Sequence, residues 1–183
     1  MNITSLGFAG FVVLTLLVYY ALPRRPQNIL LVGVSYMFYI TWSWWYALVL
    51  VVMTVVNFVL AQHLRTGDQA HRRRLWFGIG VNLLALAIFK YEDFFVPDLR
   101  AALNDWGVKT GIGGLDILLP VGMSFYVVAV ISYLVDVYRG QVEASRDPVD
   151  FALYMAYFPK LLSGPIERAR AFLPKLAEQR FVD

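Results

Sequence analysis

Lys160 lies between Pro159 and the pair Leu161-Leu162, inside the broken apolar stretch Tyr157-Phe158-Pro159-Lys160-Leu161-Leu162-Ser163-Gly164-Pro165-Ile166-Glu167-Arg168. A charge placed there should not rest against lipid, so its ammonium needs water, a carboxylate or a polar ligand; the phosphate or carboxylate of an acyl donor would suit it. Snorkelling to an interface is the plain alternative. Gly164 and Pro165 favour close backbone approach and a fixed turn. Upstream, Asp136 and Arg139 stand three apart beside Tyr138, so on a helix they share a face and can neutralise one another at a membrane boundary. Proline, glycine and charge in or beside hydrocarbon persist mainly where protein or a water-filled cavity supplies partners, which favours a site over a passive anchor.

Other chemistries lack their residues. The chain has no cysteine, which removes disulfides, thiolate nucleophiles and cysteine metal sites. His63 and His71 lie in or beside an arginine-rich loop without the spacing of a metal pair or a nucleophile triad. There is no phosphate-cradling Gly-Lys-Ser loop, no Gly-x-Ser-x-Gly elbow and no His-Glu-x-x-His string. The net charge of +3 is spread over short loops without an aromatic-laced basic stripe, so nucleic acid is not an expected partner. Glu167 with Arg168 reads as a solvated charged face, and Lys90 as an interfacial anchor. Asn57 and Asn82 fall within apolar runs, where an amide must find a partner across a helix interface.

The elements that must hold these residues are membrane helices. Of 183 residues, 59% are hydrophobic and 16% aromatic, a composition of a polytopic membrane protein of the all-α class. Residues 3–22 match a hydrocarbon core of ~30 Å at ~1.5 Å per residue, and the absence of a basic start or a cleavage pattern favours a span over a signal peptide. Residues 28–64 form too long a run for one span and must break at Thr41-Trp42-Ser43-Trp44-Trp45-Tyr46, where indoles favour the interface and hydroxyls can serve a turn. This predicts spans near 28–42 and 45–64, a fourth over 75–95 and a fifth over 117–138.

Between the fourth and fifth spans, Leu99, Ala102, Leu103 and Trp106 recur at helical spacing beside Asp98, Arg100 and Asp105, which predicts a short interfacial helix that does not cross. The Gly107 and Gly111-Ile112-Gly113-Gly114 region then returns the chain. Residues 148–158 are too short to span, are stopped by Pro159, and read as re-entrant or interfacial. Ser163 can cap a helix that begins at Pro165 and restarts at Pro174. Arg24, Arg25, Arg65, Arg72, Arg73 and Arg74 follow the first and third spans, so the positive-inside rule places the amino terminus outside and these loops in the cytoplasm. No internal repeat divides the chain, and residues 1–183 read as a single membrane domain.

Several strings in order carry a resemblance: Phe89-Lys90-Tyr91, then Ser124-Phe125-Tyr126, Asp136-Val137-Tyr138-Arg139-Gly140, Phe158-Pro159-Lys160 and Ser163-Gly164-Pro165-Ile166-Glu167-Arg168. Together they resemble the amino-terminal portion of the membrane-bound O-acyltransferase family, in its bacterial alginate O-acetyltransferase branch. The resemblance implies an incomplete helical domain of about five spans plus a re-entrant segment, set in the bacterial inner membrane. It implies a whole enzyme that transfers an acyl group, acetyl in this branch, to a hydroxyl of a cell-envelope polysaccharide. The donor would be a substrate such as acetyl-CoA, with no bound cofactor or metal. The family's catalytic histidine lies in a later hydrophobic stretch that this chain does not reach, so no catalytic residue is assigned. Asp136, Tyr138, Arg139, Lys160, Gly164 and Pro165 are implied to wall the chamber or meet substrate. Expected partners are the bilayer, the polysaccharide acceptor, a carboxy-terminal half and envelope acetylation proteins. A noncatalytic scaffold and a transporter fragment are the alternatives, the latter if the broken segment lines a solute path.

Overall fold

The computed structural model describes residues 6–105, 122–163 and 167–177, and all the regular structure among them is helical. The order is α1 (Leu6–Ala21), α2 (Arg24–Ile40), α3 (Trp44–Gln62), α4 (Gln69–Asp105), α5 (Met123–Tyr138), α6 (Pro148–Ala156), α7 (Phe158–Ser163) and α8 (Ala169–Ala177). The break between α2 and α3 falls at residues 41–43, where Thr41 closes α2 and its hydroxyl donates to the Phe38 carbonyl at 2.7 Å. Tryptophans 42, 44 and 45 are exposed around this turn, as indoles at an interface should be.

α4 differs from expectation. A separate interfacial helix does not form near residue 99; one helix of 37 residues runs through Pro97 to Asp105, about 55 Å at ~1.5 Å per residue. Leu99, Ala102 and Leu103, expected on a separate helix, fall within this one. Trp106 and the glycine-rich return lie outside the described residues.

The Asp-Val-Tyr-Arg-Gly string is a helix stop. Gly140 takes φ +69°, its N–H donates to the Val137 carbonyl at 3.0 Å, and the Gln141 N–H reaches back to the Asp136 carbonyl at 2.9 Å. Those two bonds are a Schellman closure, which requires a left-handed residue that glycine adopts without strain. Thr66 Oγ1 would stand 3.3 Å from a Cβ at residue 140, so the closure also lets the α3–α4 loop approach.

The segment after α5 is broken twice. Asp147 accepts from the N–H groups of Val149 and Asp150 at 2.8 and 3.4 Å, capping α6, and Pro148 fills its first turn. α6 ends at Ala156, and Tyr157 turns the chain with ψ 105°. Pro159 therefore does not stop this helix but sits in the first turn of α7, where no intrahelical donor is needed. Pro174 likewise lies inside α8 instead of restarting a helix, and Ser163 is the last residue of α7.

The core gathers where α5, α6 and α2 meet. Tyr126, Tyr133, Tyr154, Phe38 and Phe151 are fully buried. Phe38 stacks against Phe158 at 5.3 Å between ring centroids, and Tyr133 against Phe151 at 5.1 Å. Asn57 and Asn82, both fully buried, exchange reciprocal amide bonds at 3.0 and 2.7 Å between α3 and α4. One turn from Asn82, Gly78 leaves room for Leu60 and Leu134, which a Cβ there would strike. The outward faces of α1 and α3 are apolar and exposed, including Leu14, Leu17, Val52 and Val55.

Candidate functional site

α6, α7 and α8 bring Lys160 into a closed aromatic surround. Its ammonium donates to the Tyr154 carbonyl at 3.1 Å, lies 3.7 Å from the centroid of the Tyr154 ring and 5.2 Å from that of Phe172, and the residue is buried. The turn at Tyr157 makes this possible, because it folds α7 back so that the side chain returns over α6. Burial holds the Lys160 ammonium down to a pKa of about 8, with the Glu167 carboxylate opposing the shift. Cation–π contact with two rings supplies part of what lost hydration removes.

Tyr154 joins this cation to the next polar groups. Its hydroxyl lies 3.5 Å from the Ala129 carbonyl and 3.4 Å from the Glu167 carbonyl. Burial pushes its phenol up from the ordinary tyrosine range, and the negative charge of Asp136 acts in the same direction. Glu167 does not pair with Arg168; its carboxylate meets the Lys175 ammonium at 2.6 Å. Arg168, its neighbour in sequence, is exposed.

The sequence residues separate here. Asp136 is buried and turned inward, and its Oδ2 has no hydrogen-bond partner among the described residues. Arg139 is exposed at the end of α5, Tyr138 is half-buried, and the expected Asp136–Arg139 ion pair does not form. Arg139 at the C-cap is still helical, with φ −79° and ψ −3°, but its side chain is exposed while Asp136 is turned into the core. Ion pairs formed instead include Arg24–Asp150, Arg25–Asp147 and Lys175–Glu167. Gly164 and Pro165 lie outside the described residues. Tyr154, Phe172 and Lys175 escaped sequence reasoning. Only the helix break between Tyr154 and Lys160 pointed toward the first, and α8 reaches the cluster solely through tertiary packing.

A polar base lies beneath. Arg24 Nε and Asn28 Nδ2 donate to the Leu176 carbonyl at 3.0 and 3.2 Å, and Asn28 also donates to Asp150 at 2.8 Å. These bonds tie the starts of α2 and α6 to the end of α8. Between this base and the lysine cluster, a cleft of about 340 Å³ opens between α1 and α8, with Leu16, Tyr20, Leu153 and Phe172 among its walls and Glu167 and Lys175 as its charged groups. Among the described residues no group of three potential ligands could hold a metal ion.

No family model matches the chain, and no solved structure does. Curated relatives do. The chain is 41% identical over 87% of its length to the protein named probable alginate O-acetylase AlgI of Azotobacter vinelandii, and 38% identical over 82% to that of Pseudomonas aeruginosa. It is 28% identical over 94% of its length to a peptidoglycan O-acetyltransferase of Helicobacter pylori. It spans only about a third of each of these relatives: 32%, 29% and 36%. Matches over nearly all of this chain and so small a share of each relative fit an amino-terminal portion of a larger protein. The chain is thus a relative of the alginate O-acetylases, in the membrane-bound O-acyltransferase family whose motifs it carries.

Proposed function

We propose that the chain forms part of a multi-pass O-acyltransferase of the bacterial inner membrane, one that moves an acetyl group to a hydroxyl of a cell-envelope polysaccharide. The observation that carries this is 38–41% identity, sustained along most of the chain, to proteins named for alginate acetylation. In this reading α1 to α5 are five spans with the amino terminus outside. Trp44–Gln62 is long and apolar enough to cross alone, while α1 and α5 are shorter apolar helices. The acceptor hydroxyl needs a general base. His63 caps the end of α3 and His71 lies in the first turn of α4, both beside the arginine-rich loop, so in this reading the chain by itself is inactive and the base comes from elsewhere in the complete enzyme.

The role of this part is to wall the chamber and receive the donor, acetyl-CoA in this reading, with no bound cofactor. Arg139, exposed beside the Schellman turn, is the cation placed to meet donor phosphates on the cytoplasmic side. Lys160 holds α6, α7 and α8 in register, and Asp136, Tyr138, Gly164 and Pro165 remain the other candidates for walling the chamber or meeting substrate. Partners are the bilayer, the polysaccharide, a carboxy-terminal half and envelope acetylation proteins. The test replaces the matching segment of the A. vinelandii relative with this chain, in cells lacking their own copy, and measures acetyl esters on the exported polysaccharide. Retained esters are expected, with Arg139→Met lowering them and raising the donor requirement in isolated membranes. A membrane-inserted chimera without esters would sink the reading.

A further inference from the structure

We propose that the cleft between α1 and α8 is a binding site for one zwitterionic phospholipid of the cytoplasmic leaflet, with an acyl chain in the cleft and an ethanolamine phosphate head on the Glu167–Lys175 pair. The inference rests on the reading of the chain as a membrane protein. Three observations lead to it. The cleft, of about 340 Å³, is walled by leucine and aromatic side chains, the lining of a site for an apolar guest. Its α1 wall is continuous with lipid-facing surface: Leu16 and Tyr20 line the cleft and are about half exposed, and the neighbouring Leu17 is exposed too. A tail therefore needs only a sideways step from bulk hydrocarbon.

The third observation is the charge at one end. Glu167 and Lys175 stand 2.6 Å apart, with their side chains 31% and 66% exposed. A head carrying a phosphate and an ammonium can replace that pair ion for ion, phosphate to Lys175 and ammonium to Glu167, leaving no charge unmatched. A purely anionic head would leave Glu167 facing like charge. The level is right as well: the cleft borders the C-terminal half of α1, just before Arg24 and Arg25, where a cytoplasmic-leaflet head would lie.

The test uses the whole chain purified from membranes in mild detergent, with retained lipid counted by native mass spectrometry after addition of phosphatidylethanolamine or phosphatidylglycerol. Neither acetyl donor nor acceptor is present, so the outcome is independent of acetyl transfer. One phosphatidylethanolamine per chain is expected, held at least tenfold better than phosphatidylglycerol. Leu16→Trp, at a half-exposed position that tolerates bulk, should fill the cleft and lose it. Glu167→Gln, which frees Lys175 for a net anion, should reverse the preference. No retained phospholipid, equal retention by Leu16→Trp, or a preference untouched by Glu167→Gln would each overturn the proposal.

Discussion

Lys160 shows how a charge is tolerated among aromatic rings, and its protonation should be readable in stability. Its pKa falls from 10.5 in the free side chain to about 8 in the fold, so between these values the folded chain has shed a proton that the unfolded chain keeps. Stability must therefore rise with pH across that window, by on the order of 3 kcal/mol if the whole shift is realised. Thermal midpoints in detergent at pH 7.5 and 9.5 should show the rise in the parent chain and lose it in Lys160→Met; a slope retained in the variant would assign it to another group. The need of Lys160 for a partner was legible from its neighbours in sequence. Its actual surround was not, because Phe172 arrives on a helix folded back from further along the chain. Asp136 and Arg139 misled for a local reason: a three-residue spacing brings two residues near one another on a helix but does not make them pair, and here Asp136 is buried while Arg139 stays exposed.

At the scale of elements, apolar run lengths located α1, α2 and α3 well, since the bilayer period and the aromatic turn at 41–43 are strong signals. They failed where proline was read as punctuation. Pro159 and Pro174 both lie within helices, the first in a first turn where it costs nothing. The α3–α4 contact is the element-scale feature most open to test. Asn57 and Asn82 satisfy each other and also the carbonyls of Met53 and Gly78 at 2.8 Å, so removing one amide strands the other in an apolar interface. Asn57→Leu alone should cost roughly 1–3 kcal/mol, the range for a buried polar group left unpaired. The double variant Asn57→Leu with Asn82→Leu should recover part of that loss. Equal loss in the single and double variants, by equilibrium unfolding in mixed micelles, would mean the pair contributes only shape.

For the whole molecule, the orientation proposed from its bases is easy to check in a chain without cysteine. Ala70, beside the arginines at the start of α4, should face the cytoplasm. Ala70→Cys should resist an impermeant maleimide in intact cells and react once the membrane is opened. Labelling in intact cells would invert the topology, moving Arg139 and the cleft mouth to the outer face and away from any cytoplasmic donor.

The bonds from Arg24 and Asn28 to the Leu176 carbonyl also set a clock. They join residues 152 and 148 positions apart, so α2 is complete long before its last acceptor exists. At ~5–20 residues per second of synthesis, the base stays open for roughly 8–30 s after Arg24 is made. Until Asp150 and then α8 are made, the Arg24 guanidinium and the Asn28 carboxamide lack these tertiary partners. The five helices that precede α6 are then complete before this base can form, and it closes only when the α6–α8 segment arrives.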